Sequence, residues 1–421
     1  MPLQQLKVYT LLFLVFCATV SAKFSYERGN CEILVTSAIR EILMNEMRAQ
    51  LDPSWREWRN KRLRYDLYTP LNPYKAQVLV PGDRDVLRTS YFNAKWPVRL
   101  SIHGWTGKST SCSNAAIKDA YLEVGNFNVI LLDWSSISMD ISYGRISRQL
   151  SDIAKQLVEF TRFLHREAGI AYESIYMVGH SAGAHIAGLA GKLLSPQRFG
   201  VIYALDPAGL VQLSLGEDKR LAPNDAIYTE SIHTDITLLG NPSTKLTHAA
   251  FFVNWGLGQP HCPNATAAEF DFACDHFAAL YYFVETVRQP RAFGAAQCRR
   301  RGGSSYNNNI SSSSSSSSTS GGTLWDQMEC GCTNVATAAA AAAATTIAAA
   351  TAAGECTATA FMGGEPAVPK NGTFYLSTRS KSPPFGFGET VRIRRAAPAK
   401  FLHSSFLNNK FINSMLSKWH K

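Results

Sequence analysis

The chain has 421 residues, 46% of them hydrophobic, and a formal net charge of +10 at pH 7, enough apolar chain to bury a sizeable core. Residues 370–421 carry ten Lys/Arg against one Glu, so about nine of those charges sit in the tail; the rest is near neutral, and nucleic-acid binding is excluded as a reading of the overall charge. No run of about 18 apolar residues follows residue 22, because the Ala/Thr tract of 336–353 is only weakly apolar.

In chain order, residues 1–22 read as a secretory signal: Lys7 supplies the positive start, 9–16 the apolar core, and Val20-Ser21-Ala22 a small-residue cleavage site. The chain is therefore expected to be exported. Cleavage removes Cys17 and leaves Cys31, Cys112, Cys262, Cys274, Cys298, Cys330, Cys332 and Cys356. An even number of cysteines without metal-ligand spacing favours disulfides in that compartment. The sequons at Asn264, Asn309 and Asn371 suit the same route, that of a glycoprotein.

Residues 23–298 read as one domain, with strands predicted at 98–102, 128–132, 174–178, 200–205, 226–232 and 249–253. Ile146, Leu150, Ile153, Leu157, Phe160 and Leu164 recur at steps of three and four, which predicts an amphipathic helix stopped at Gly169. Alternation of strands and helices predicts an α/β class with a mainly parallel central sheet and helices on both faces. Residues 299–355 are read as low-complexity insertions, Ser-rich then Ala/Thr-rich, carrying Cys330 and Cys332. Residues 356–390 read as the returning end of the domain, with a strand at 372–377, and residues 391–421 as a basic tail. Arg392-Ile393-Arg394-Arg395 is a candidate processing site. The tail itself is a solvated extension or an adhesive for acidic glycans and anionic lipid.

The chemistry concentrates at Gly179-His180-Ser181-Ala182-Gly183, between a predicted strand and the predicted helix 184–194. G-x-S-x-G in that context is a nucleophile elbow: a sharp turn presents the serine at the strand end, and the following helix N-terminus favours developing negative charge. It predicts an α/β-hydrolase fold and nucleophilic attack on an ester. Such a serine needs an acid and then a histidine further along the chain. Asp206 ends the next strand, with Asp225 and Asp235 as rivals. His233, His248, His261 and His276 all remain open as the base. Upstream, Ser101-Ile102-His103-Gly104-Trp105 closes an early strand. The backbone N–H groups of Trp105 and Ala182 are the candidate oxyanion donors, and His103 is expected to hold the loop.

These residues resemble the animal pancreatic-lipase family, particularly its insect lipase and phospholipase A1 members. The matching pieces are Ile102-His103-Gly104-Trp105, the stretch from Asn128 to Trp134, Val178 to Gly188, Ala204 to Gly209, Ile232-His233-Thr234 and Cys274-Asp275-His276, in family order over about residues 60–290. The resemblance implies a Ser181–Asp206–His276 triad. It also implies a Cys262–Cys274 disulfide closing a lid of eleven residues, 263–273, about half the usual length in triacylglycerol lipases of the family. A short cover shifts the expected substrate toward phospholipids met at a membrane or lipid–water interface.

Arg220-Leu221-Ala222-Pro223-Asn224-Asp225-Ala226 lacks one carboxylate of the calcium stretch some members carry, so no metal and no cofactor is expected. About 120 residues follow Cys298, much of them low-complexity, and the C-terminal β-sandwich that docks a helper protein in vertebrate members is expected to be absent. The competing expectation is a lipid-binding or storage protein with little activity, as in related insect yolk proteins. Those lack the serine that this chain keeps.

Overall fold

The computed structural model describes residues 63–140, 142–209, 215–237, 239–262, 272–300, 328–331, 355–380 and 385–392. The expected signal, Cys31, the sequons at Asn264 and Asn309, and the tail beyond Arg392 lie outside the described residues.

Seven parallel strands form the centre of one large sheet. From one side they are β13 (Gly372–Leu376), β8 (Ala249–Val253), β7 (Ala226–His233), β6 (Phe199–Leu205), β5 (Ile175–His180), β3 (Val98–Ile102) and β4 (Asn128–Asp133). Antiparallel strands finish both edges: β1 (Arg64–Tyr68) and β2 (Gln77–Leu79) beyond β4, and β9 (Gly294–Arg300) with β10 (Met328–Gly331) beyond β13. The short strand β12 (Ala360–Phe361) also pairs with β9, and β11 (Glu355–Thr357) pairs with β14 (Thr390–Arg392) in a separate ribbon.

Among the described residues, four long helices cover the sheet. On β4 the pleat sends Ile130 and Leu132 to one face and Val129 and Leu131 to the other. The first face packs against α2 (Tyr143–Ala168) and α3 (Ala182–Leu194), the second against α1 (Cys112–Val124) and α4 (Phe272–Arg288). Every residue of the expected apolar stripe of α2 is buried, and the helix ends at Gly169 in the left-handed conformation, φ 66°. Parallel sheet between two helical layers is the α/β-hydrolase architecture, and parallel strands buried on both faces explain their near-continuous apolar sequences.

Two domain boundaries fall inside paired strands. β9 runs past Cys298 to Arg300, and Met328–Gly331 inside the expected insertion pairs with it, joined by a Cys298–Cys330 disulfide. β14 likewise extends past residue 390 to Arg392. The segment between them is stitched to the sheet by buried polar contacts. Arg99 on β3 makes a two-pronged ion pair with Glu365, at 2.7 and 2.8 Å, while stacking on Tyr176. Glu230 on β7 meets Lys370 at 2.9 Å, and Tyr203 donates to the Gly364 carbonyl at 2.7 Å. Residues 360–376 are thus joined to the sheet, although Ala360 lies 72 positions after Arg288, the end of α4.

Candidate active site

Ser181 stands between β5 and α3 with φ 55° and ψ −120°. A left-handed conformation costs a non-glycine residue on the order of 1–3 kcal/mol and persists only where the surroundings impose it. Here the surroundings are close. A Cβ on Gly183 would come within 2.2 Å of the Ile102 carbonyl oxygen, and one on Gly179 within 2.5 Å of the Gly183 oxygen. The two glycines of the motif let helix and strands close around the serine. The Ser181 N–H donates to the Leu205 carbonyl at 2.9 Å, tying the turn to the end of β6.

The end of β6 delivers Asp206, which is fully buried and also left-handed, at φ 40°. Its Oδ1 accepts the N–H groups of Thr234 at 2.8 Å and Asp235 at 3.1 Å, and its Oδ2 lies 2.6 Å from His276 Nδ1. Burial pushes the Asp206 carboxyl up to about 6, against the opposing pull of His276 and the Thr234 N–H. His276 follows the first turn of α4. His180, the residue before Ser181, reaches it from the elbow: His180 Nε2 and the His276 carbonyl oxygen are 3.1 Å apart, and the two rings are 4.6 Å apart.

Of the four histidines left open by the sequence, His276 is the one placed against the Asp206 carboxylate. His233 stacks on Phe252 and bonds Ser231 through Nε2 at 2.8 Å. His248 pairs with Thr229 at 2.9 Å, and His261 Nδ1 lies 3.1 Å from the Tyr282 hydroxyl. The rival acids are also engaged elsewhere. Asp235 accepts from Thr237 and from the Leu239 N–H, and Asp225 holds the Ala222 N–H and Lys192.

The loop after β3 packs directly on the serine. A Cβ on Gly104 would sit 2.8 Å from Ser181 Cβ and 3.1 Å from the His180 oxygen. His103 anchors this loop: its Nδ1 meets the Gly104 carbonyl at 2.9 Å and its Nε2 accepts the Trp134 N–H at 3.1 Å. Burial drives the His103 imidazole down to about 4, so it stays neutral. Trp105 is fixed by its indole N–H on the Asp140 carbonyl at 2.8 Å, and Thr106 beyond it takes φ 63°. Ala182 opens α3, where first-turn N–H groups have no acceptor within the helix. Gly104, the residue before Trp105, thus packs on Ser181, and Ala182 follows the serine at the start of α3.

Cys262 and Cys274 form a disulfide just before His276; the expected lid between them lies largely outside the described residues. The stretch from Arg220 to Ala226 does not fit a hard cation. Asp225 gives one carboxylate oxygen to Lys192 and the other to the Ala222 N–H, and Ala222 offers no side-chain oxygen. Among the described residues no helix is long and apolar enough to cross a membrane.

The sequence reading named Thr234, Asp235 and Gly104 but not the roles they hold here: Thr234 and Asp235 donate backbone N–H groups to Asp206, and Gly104 packs on Ser181. The two N–H groups carry no side-chain signature; Gly104, wedged between His103 and Trp105, was open to notice.

The chain is similar in sequence to known lipases and phospholipases. A sequence model of a protein family described as Lipase matches residues 31–328. Phospholipase A1 member A of Rattus norvegicus is 34% identical over 244 residues, covering 57% of this chain and 52% of its own. Lipase member H-A of Xenopus laevis is 33% identical over 53% of this chain and 48% of its own. Pancreatic triacylglycerol lipase of Cavia porcellus is 30% identical over 56% of this chain and 54% of its own. The chain thus matches about half the length of these relatives.

Proposed function

The chain belongs to the lipase family, and we propose that it is a secreted carboxylic ester hydrolase that cleaves lipids through an acyl-enzyme on Ser181. The contact that carries this reading is His276 Nδ1 on Asp206 Oδ2, at 2.6 Å, beside a left-handed serine. Asp206 fixes His276 in the tautomer with the proton on Nδ1, which leaves Nε2 free to act as base. Ser181 Oγ attacks the acyl carbonyl while His276 takes its proton. The oxyanion forms facing the N–H groups of Trp105 and Ala182, donors already in place when the charge develops. His276 then hands the proton to the departing alcohol oxygen; water, giving its proton to His276, next attacks the acyl carbon, and the bond to Ser181 Oγ breaks as the serine takes the proton back and the fatty acid leaves.

For the substrate we favour a phospholipid cut as a phospholipase A1 does, with triacylglycerol as the alternative lipid. Two observations support this choice: eleven residues lie between Cys262 and Cys274, and relatives named phospholipase A1 are 32–34% identical. The substrate is met at a membrane or lipid–water interface, and the basic tail is proposed to add salt-sensitive attachment to acidic glycans or anionic lipid. Protein from culture medium, offered phosphatidylcholine and a triacylglycerol side by side, should release fatty acid from the first faster. Preference for the triacylglycerol overturns the head-group assignment, and release from neither overturns the lipase reading.

A further inference from the structure

We propose that Gln259 is a positioning residue that holds the acid and the base of the site in register from behind. The proposal rests on the reading of Asp206 and His276 as an acid–base pair. Gln259 is 4% exposed, yet all four of its polar groups are used. Its side-chain Nε2 donates to the carbonyls of Thr234 at 2.8 Å and Val253 at 3.1 Å. Its Oε1 accepts from Asn254 Nδ2 at 2.8 Å and the Tyr282 hydroxyl at 3.0 Å. Its backbone N–H donates to Asp275 Oδ1 at 2.7 Å, and its carbonyl accepts the Cys262 N–H at 2.9 Å.

The destinations of these bonds make the residue more than a satisfied core amide. Thr234, held by its carbonyl, is the residue whose N–H donates to Asp206 Oδ1 at 2.8 Å. Asp275, held by its carboxylate, is the immediate neighbour of His276. One glutamine therefore grips the loop that orients the acid and the helix turn that carries the base. It also anchors Cys262, one end of the disulfide-closed loop.

The same amide supports strained backbone. Asn254 and Trp255 take φ 51° and 62° in succession, a conformation non-glycine residues keep only when held. Asn254 is held by Gln259 on one side and by Thr378 on the other, through Nδ2 to Thr378 Oγ1 at 2.8 Å and the Thr378 N–H to Oδ1 at 3.0 Å. Thr378 follows β13, so the network also links the late-arriving C-terminal strand to the site. A small displacement of a reacting group is costly, because catalysis depends on pre-set geometry.

The test compares wild type with Gln259→Met, which keeps the length of the side chain and both backbone bonds but removes every side-chain hydrogen bond. Turnover of a soluble p-nitrophenyl ester is divided by the number of sites that an organophosphate titrates, so misfolded protein does not count. The expected result is a fall in kcat per titrated site of about 10- to 100-fold, with KM within about twofold of wild type and a displaced acid limb of the pH–rate profile. In a Ser181→Ala background, the low-field proton resonance of the His276–Asp206 hydrogen bond should broaden or vanish on Gln259→Met. If the Met variant is not secreted, Gln259→Asn, one methylene too short to span these partners, takes its place with the same expectation. Unchanged kcat per titrated site with an unchanged pH profile overturns the proposal. If wild type itself neither turns over the ester nor reacts with the organophosphate, the hydrolase reading fails; the proton resonance then decides Gln259, and its persistence in the variant overturns the positioning role.

Discussion

His276 Nδ1 lies 2.6 Å from Asp206 Oδ2 across a separation of 70 residues in the chain. Asp206→Asn keeps the shape but presents an amide N–H to the ring, which favours the tautomer with its proton on Nε2 and so removes the proposed base. We expect kcat for a soluble ester to fall on the order of 10⁴-fold, with thermal stability retained. Steady-state kinetics beside a melting curve checks it.

Activity should depend on pH through the same pair. Burial raises the Asp206 carboxyl to about 6, so the carboxylate that orients His276 is present above that pH and lost below it. The fall in kcat/KM as pH drops through about 6 should therefore follow the loss of that carboxylate. A pH–rate profile flat from neutrality down to about pH 4 would contradict this, since an Asp206 carboxyl raised to about 6 is protonated over the lower part of that range.

Stability carries a separate acid signature at His185. This buried ring places Nε2 2.9 Å from the Ala208 carbonyl and accepts the Leu221 N–H on Nδ1 at 3.2 Å. Burial lowers it from 6.5 to about 4. The unfolded chain therefore takes up a proton before the folded one does. The neutral ring's contribution is complete above pH 6.5, declines as pH falls toward 4, and is gone below the folded value. His185→Gln should flatten the stability–pH curve in that window by up to ~1.4 kcal/mol per pH unit, measured by urea unfolding at a series of pH values.

Gly104→Ala tests the loop over the serine. The new Cβ would meet Ser181 Cβ at 2.8 Å and the His180 oxygen at 3.1 Å, so the loop must move and take the Trp105 N–H with it. Loss of one oxyanion donor costs roughly 10²–10³ in kcat. We expect that loss with KM little changed.

Lys192→Met tests the charge partner of Asp225. It removes the cation from a carboxylate that is 4% exposed, which should destabilise the fold by on the order of 3 kcal/mol. Calcium or a chelator should shift the melting temperature of neither protein.

Much of this was legible in the sequence. Strands 98–102 and 249–253 coincide with β3 and β8, because short β-branched or aromatic runs ending at turn residues have few other uses in a parallel sheet. Ser181 was legible because its flanking glycines answer a local steric demand. Residue order alone left His276 among four histidines; the resemblance carried by Cys274-Asp275-His276 singled it out, and the fold sets it against Asp206. Strands β1, β2 and β9 were missed; Gly294–Arg300 reads GAAQCRR and owes its extended form to pairing with β13 and β10. The role of Gln259 lies entirely in tertiary contacts, which leave no periodicity to read.

The most direct test of the catalytic assignment is intact-mass and peptide mapping after treatment with a fluorophosphonate, on wild type and on Ser181→Ala. The account predicts one adduct on the wild-type protein, mapped to Ser181, with loss of ester hydrolysis in step with labelling, and no adduct on the folded, secreted Ala variant. A folded wild-type protein that remains unlabelled at Ser181, or hydrolysis that survives Ser181→Ala, would contradict it.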